Sequence, residues 1–361
     1  MKRLAVLALV LLLVHACACA EALDGADLSG LEEFAAEYAE GMDARGIAEA
    51  ALSGKTDFSA LIDWLKGRVA EPVKEVLGYG SSLLAPVLLL SLLSCMGSGR
   101  GGARFLVLLT LISGMLRASA AVLNAAGACL HMVSRFADAA APVMSALMTA
   151  AGMSGSAALL SPSAAIVGSL MENVFLAWGI PLCRVALCLA ACGNLTSSFD
   201  LSRAAKLVKK LMGWGTGLCF TLFTAMLALQ GSMSASLDGV ALRTAKYAVD
   251  SASPVIGSGV SDVWESYVAG VQAARSAVGI SGVVLLLASG LRPLLQAGAG
   301  MLLMQLLSVL LDVFGEKQAA RAAEQTGDVC RMALELCCSA MAIAVVLLGA
   351  GMAVGRGLLS P

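Results

Sequence analysis

Outside the first twenty residues this chain holds a single histidine, His131, so the usual partners of hydrolytic or group-transfer chemistry are missing. A nucleophilic Ser or Cys needs a positioned base, and neither an HExxH zinc-protease stretch nor a phosphate-cradling GxxxxGK[ST] loop occurs. Eleven cysteines are present. Cys183, Cys188 and Cys192 stand at offsets of five and four, not in the paired C-x-x-C spacing of a zinc site. Most of the others sit in apolar stretches, where a free cysteine behaves as a small hydrophobe. The expectation is a protein that is not an enzyme, with no catalytic residue, no cofactor and no metal.

Two groups of polar residues remain. Arg117, Glu172 and Arg184 fall inside apolar runs, and a charge at membrane depth is a functional candidate by default. These three could line a transport path, although snorkelling or a helix-end position accounts for them equally well. The second group lies in DGVALRTAKYAVD at residues 238 to 250. On a helical wheel Arg243, Lys246, Tyr247 and Asp250 fall within about 100° of one another, opposite an alanine- and leucine-rich face. Asp238 is placed to cap that helix, and Pro254, Gly257 and Gly259 end it. Asp238, Arg243, Lys246, Tyr247, Asp250 and Pro254 are the candidate partner-binding residues.

The elements that must carry these groups are membrane helices. Of the 361 residues 59% are apolar and 14% charged, and apolar runs near twenty residues recur, each about long enough to cross a bilayer. The fold class expected is all-α: a polytopic membrane helical bundle with an N-terminal extracytoplasmic amphipathic helical region. Residues 1–20 read as a signal peptide, with a basic head, an apolar stretch and small residues before Glu21. Residues 21–78 form an acidic, then amphipathic, helical region, and residues 79–355 the transmembrane domain, with an external helical segment at 231–276. Within that domain the runs at 79–97, 105–123, 214–230 and 332–354 read as spans. The stretch 157–193 is too long for one span and reads as a re-entrant piece followed by a span from about 174. Residues 125–152 read as outside or half-inserted. Residues 277–312 read as a tight hairpin broken at Arg292-Pro293, because proline lacks a backbone donor and restricts the residue before it. With residues 21–78 outside, Arg100, Arg104, Arg203, Lys206, Lys209, Lys210, Arg292 and Arg356 all fall on the cytoplasmic side, as the positive-inside rule requires. The basic residues are scattered, and no stripe exists to follow a nucleic-acid backbone.

The stretch LQGSMSASLDGVALRTAKYAVDSASPVIGSGVSD, then AVGISG at 277 to 282 and Arg292-Pro293-Leu294, resembles the stage III sporulation protein AE family. ALLSPSAAIVGSL at 158 to 170, Ile180-Pro181-Leu182 and KLVKKLMGWGTGL agree with it in order. Two positions depart from the family pattern: Arg275 and Ser276 precede Ala-Val-Gly where a lysine is common, and Ser253 stands where a phenylalanine usually precedes Pro254. The resemblance implies a non-enzymatic subunit of the sporulation channel, or feeding-tube, complex linking mother cell and forespore, in the mother-cell membrane surrounding the forespore. Its implied partners are other membrane subunits of that complex and the lipid bilayer, with self-association as a further expectation and no nucleic acid. The alternative is a permease subunit moving small molecules past the intramembrane ionisable residues. Gly213 with Gly217, and Gly351 with Gly355, have the GxxxG spacing of close helix packing. The orientation predicts that a membrane-impermeant thiol reagent applied from outside modifies Lys246→Cys and spares Lys209→Cys; the opposite pattern in a labelling assay would invert the topology.

Overall fold

The computed structural model describes residues 27–39, 42–52, 58–95, 101–195, 202–252 and 257–353, and among them there is no strand. Two short helices come first, α1 (Ser29–Tyr38) and α2 (Ala44–Leu52). Long helices follow: α3 (Phe58–Cys95) and α4 (Gly101–Ala150). Then α5 (Ser154–Ser169), a π-helical segment (Leu170–Gly179) and α6 (Ile180–Leu195) form one continuous run. The chain ends with α7 (Ser202–Ala252), α8 (Gly257–Val313) and α9 (Lys317–Ala353). Six of these runs are long and apolar enough to cross a membrane. They alternate in direction, so the joints near Arg104, Lys209 and Glu316 gather at one end, termed basal here, and the turn at Met153 lies at the other, distal end.

The centre is α4, α8 and α9, packed against one another. α8 and α9 run antiparallel in a register that glycine makes possible. Ser308 Oγ donates to Ala320 O at 2.9 Å, Gly300 faces Cys330, Gly290 faces Met341 and Gly279 faces Met352. Without a side chain on one helix, the other approaches closely and recovers dispersion along its length. The joints that reverse the chain are equally specific. Gly152 (φ 76°) and Gly315 (φ 79°) adopt the left-handed conformation. Met153 N–H bonds Met148 O and Gly152 N–H bonds Thr149 O, while Glu316 N–H bonds Leu311 O and Gly315 N–H bonds Asp312 O, all at 2.9 Å. Both are Schellman closures, which use the last orphan carbonyls of α4 and α8.

Large exposed apolar side chains mark the membrane level, and they concentrate in the basal half: Leu84 and Leu88 on α3, Phe105 and Leu106 on α4, Leu302, Leu306 and Val309 on α8. Among the described side chains of α7, which end at Gly231, they occur from Leu207 to Leu229, a rise of about 33 Å at 1.5 Å per residue, enough for one hydrocarbon thickness. α4, with 50 residues, is about 75 Å long. The bundle therefore continues well past the apolar band on its distal side. There α1 and α2 pack on α4 and α8, with the Phe34 ring edge-on to Phe136 at 5.2 Å.

Several expectations about chain breaks are overturned. Arg292-Pro293 does not form a hairpin: Pro293 lies inside α8, which is unbroken from Gly257 to Val313. Proline removes one intrahelical bond, but α8 on either side of it stays packed on α4 and α9, and those contacts carry the helix through. No re-entrant piece forms near Glu172 either; the run from Ser154 to Leu195 continues, widened to π geometry over Leu170–Gly179. That widening directly precedes Pro181, whose missing N–H already disturbs the ladder there. The stretches 105–123 and 125–152 are one helix, α4, the second prolonging the first beyond the apolar band. The amphipathic residues from 58 on run unbroken into the first span. With α8 crossing once, Arg292 sits away from the basal basic cluster, paired with Glu75 at 3.5 Å, and α9 ends distally, so the chain leaves the bundle opposite Arg104. Arg356 itself lies outside the described residues.

A Cβ at Gly300 would stand 2.8 Å from Val122 Cγ2, whereas one at Gly298 meets nothing within 4 Å. Because Val122 is β-branched and stiff, Gly300→Ala is expected to lower stability in detergent by about 1–3 kcal/mol, and Gly298→Ala to change it by less than about 0.5 kcal/mol, read from thermal unfolding.

Candidate functional site

The sequence-predicted residues fall in three places. Positions 238, 243, 246, 247 and 250 all lie on the continuous backbone of α7; their side chains, and Pro254, lie outside the described residues. Arg117, Glu172 and Arg184 are exposed, on α4, on the π segment and on α6. They make no ion pair with one another and line neither of the two large cavities described below. Of the cysteine trio, Cys183 is buried while Cys188 and Cys192 are exposed. Of the GxxxG pairs, Gly351 packs on Met144 of α4, whereas Gly213 and Gly217 face open space.

The polar site that sequence reading passed over is on α9. Arg321, Glu324, Asp328, Arg331 and Glu335 recur at steps of three and four, which places them within about 80° on one face. Asp328 is half-buried and the other four are exposed. Arg331 Nε donates to Glu335 Oε1 at 3.1 Å, and Lys209 Nζ of α7 donates to Asp328 Oδ1 at 2.9 Å. Nearby, Asn194 Nδ2 of α6 donates to Gln325 Oε1 at 2.9 Å, and Gln318 Nε2 donates to Asn194 O. A cavity of about 490 Å³ separates α6, α7 and α9, lined by Asn194, Lys206, Lys209, Arg321, Glu324 and Asp328 among others.

The depth of this site decides its meaning. Ser308 is level with Ala320, Met304 packs on Gly327 and Gly300 faces Cys330, so Arg321, Glu324 and Asp328 stand beside Val309, Leu306 and Leu302, and Arg331 and Glu335 continue past them to the heights of Gly300 and Gln296. Val309, Leu306 and Leu302 are exposed at 64%, 70% and 57%. At one height the bundle thus shows leucine on the α8 side and charge on the α9 side. An Arg or Asp at the bilayer centre costs about 2.5–3.5 kcal/mol on the insertion scale, so Asp328 and Arg331 alone would cost about 5–7 kcal/mol facing lipid. The α9 face is therefore not a lipid face. The 3–4 spacing was visible in the chain, but a polar helical face reads as solvated until neighbouring helices fix its height.

A second cavity, about 980 Å³, lies where the apolar band ends, between α1, α3, α4 and α8. Glu37, Tyr38, Arg68, Glu71, Arg292 and Gln296 contribute its polar lining, and Gln296 Nε2 donates to Glu75 Oε2 at 2.7 Å. Tyr38 stacks on Phe34 at 5.0 Å; burial, then the neighbouring Glu37 carboxylate, push its phenol above the ordinary value. Farther out, the Arg275 guanidinium is 1% exposed. It donates through Nη2 to Met352 O at 3.2 Å and through Nη1 to Met153 Sδ at 3.6 Å. A cation on the last carbonyls of α9 satisfies orphan acceptors and the negative end of the helix dipole.

The profile of the family described as stage III sporulation protein AE matches residues 48–355. The protein named stage III sporulation protein AE from Bacillus subtilis (strain 168) is 24% identical over 278 residues, covering 73% of this chain and 68% of that relative. No solved structure matches the chain. The matched region runs from within α2 to the end of α9 and so includes all six membrane-length helices, and the chain belongs to the stage III sporulation protein AE family.

Proposed function

We propose that this chain is a non-enzymatic integral membrane subunit of the sporulation channel complex that links mother cell and forespore, acting as a scaffold or channel component. The observation that carries the reading is the mismatch between helix length and membrane thickness. Helices of 50, 51 and 57 residues are each about 75–85 Å long, more than twice one hydrocarbon thickness. What remains is a rigid helical projection on the distal side, stiffened by α1 and α2. A projection of that length suits a subunit that must reach a partner anchored across a gap between two membranes. On this reading the helical stretch holding Asp238, Arg243, Lys246, Tyr247 and Asp250 stands beyond the lipid and meets other subunits, with Pro254 just after it in the sequence. The basic residues Arg104, Lys206, Lys209 and Arg321 at the basal end agree with a cytoplasmic position for that end.

Arg243→Glu combined with Lys246→Glu reverses two charges in the proposed contact. Like charges brought together across an interface cost several kcal/mol, so co-purification with partner subunits is expected to fall at least about tenfold, with the amount of chain in the membrane unchanged and spore yield lowered. Glu172→Gln is expected to leave assembly intact. Normal assembly of the double variant would refute the docking role, and a block of small-molecule passage by Glu172→Gln alone would favour the permease reading.

A further inference from the structure

We propose that the cavity between α6, α7 and α9 is the mouth of a water-filled vestibule that enters the bundle from the basal face, with the α9 charge ladder as its wall. The cavity of about 490 Å³ has room for many waters at about 30 Å³ each, and its charged and amide side chains supply them with polar partners. Its lowest members, Lys206, Arg321 and Glu324, stand at the level of the basal joints. Asp328, Arg331 and Glu335 continue the ladder inward to a point about 21 Å from Arg321. Leu306 and Leu302, exposed on α8, stand level with Glu324 and Asp328, so that part of the wall does not lie at a height wholly in water.

The vestibule ends blind. At Gly179 of the π segment, Leu336 of α9 and Met212 of α7 converge, each 3.3 Å from the position a Cβ would take there, so α6, α7 and α9 touch through apolar atoms directly above the ladder. The outer wall is lightly held: only 11% of the α7 window is buried, against 56% for α9, and the Lys209–Asp328 pair ties α7 to the ladder. The wall carries both signs, Arg321 and Arg331 with Glu324, Asp328 and Glu335, instead of a ring of one sign, which would select anions or cations. The solutes that fit are therefore water and small hydrophilic or zwitterionic molecules. This inference stands on the membrane level of the bundle, not on the complex the chain serves.

Cysteine reactivity in membrane vesicles of either sidedness tests it. With Cys95, part-exposed Cys219 and exposed Cys188, Cys192 and Cys338 replaced by Ser, the buried Cys129, Cys183, Cys330 and Cys337 leave a quiet background for Glu324→Cys, Arg331→Cys and Glu335→Cys. Leu302→Cys and Leu306→Cys report the lipid face at the depth of Glu324 and Asp328. A charged, membrane-impermeant methanethiosulfonate applied from the basal side is expected to modify the three ladder positions at least about tenfold faster than the leucine positions, because those lie in hydrocarbon. Where a ladder substitution prevents folding, Ala205→Cys on the α7 side of the cavity gives a second readout. Ladder rates no higher than those at Leu302 and Leu306 would overturn the proposal. So would fast reaction in the chain alone that is lost when partner subunits are co-assembled, since the ladder would then be a protein contact.

Discussion

The close antiparallel seam between α8 and α9 is the constraint on which the rest of this structure depends. Between membrane helices no hydrophobic gain separates helix from lipid, so association rests on dispersion over surfaces that fit. Gly279, Gly290 and Gly300 supply hollows for Met352, Met341 and the Val122–Cys330 pair, and Gly327 returns one for Met304. Fixing this register fixes the height of everything on α9. The charged ladder faces α6 and α7 at bilayer depth because Ser308 is level with Ala320; a shift of one turn would carry the ladder about 5.4 Å along the bundle.

From that seam two different regions are built. Basally, Leu83, Leu90, Leu111, Met115 and Leu311 make a small core around which leucine is turned outward to lipid. Distally, a larger core gathers Phe34, Phe136, Met144, Leu286 and Leu348, with the amphipathic α1 and α2 covering its surface. One set of helices thus serves two solvents. The change of role along a single helix explains why α4 is leucine-rich at its start and alanine-rich, with His131, Arg135 and Asp138 exposed, in its second half.

Much of this was legible in the residues. Apolar runs announced a helical membrane bundle, and the basic residues of the α3–α4 and α6–α7 joints were correctly placed together. What failed were inferences from single residues about chain breaks. Pro293 and Glu172 looked like interruptions because local rules treat proline and a buried charge as expensive in an isolated span. Inside a packed bundle, neighbouring helices hold the backbone on both sides of Pro293, and π widening before Pro181 absorbs the lost bond, so the helices continue. The ladder on α9 went unseen for the reverse reason: its spacing was plain, but height relative to Leu302 and Leu306 is a tertiary fact. Arg275 was noticed only as a charge kept at one position. Its use, on the final carbonyls of a helix 77 residues later, requires the fold.

α9 is the most enclosed of the six crossings, and it is also the last to be made. While a ribosome is still producing the turn at Gly315, the earlier helices must stand around a vacant slot, with Arg104 lacking the carboxylate it will meet 212 residues later. The bundle can reach its final form only when the closing segment is threaded into that slot. Quality control of a shortened chain would therefore encounter not a trimmed protein but an open one, its inner walls presented to the bilayer.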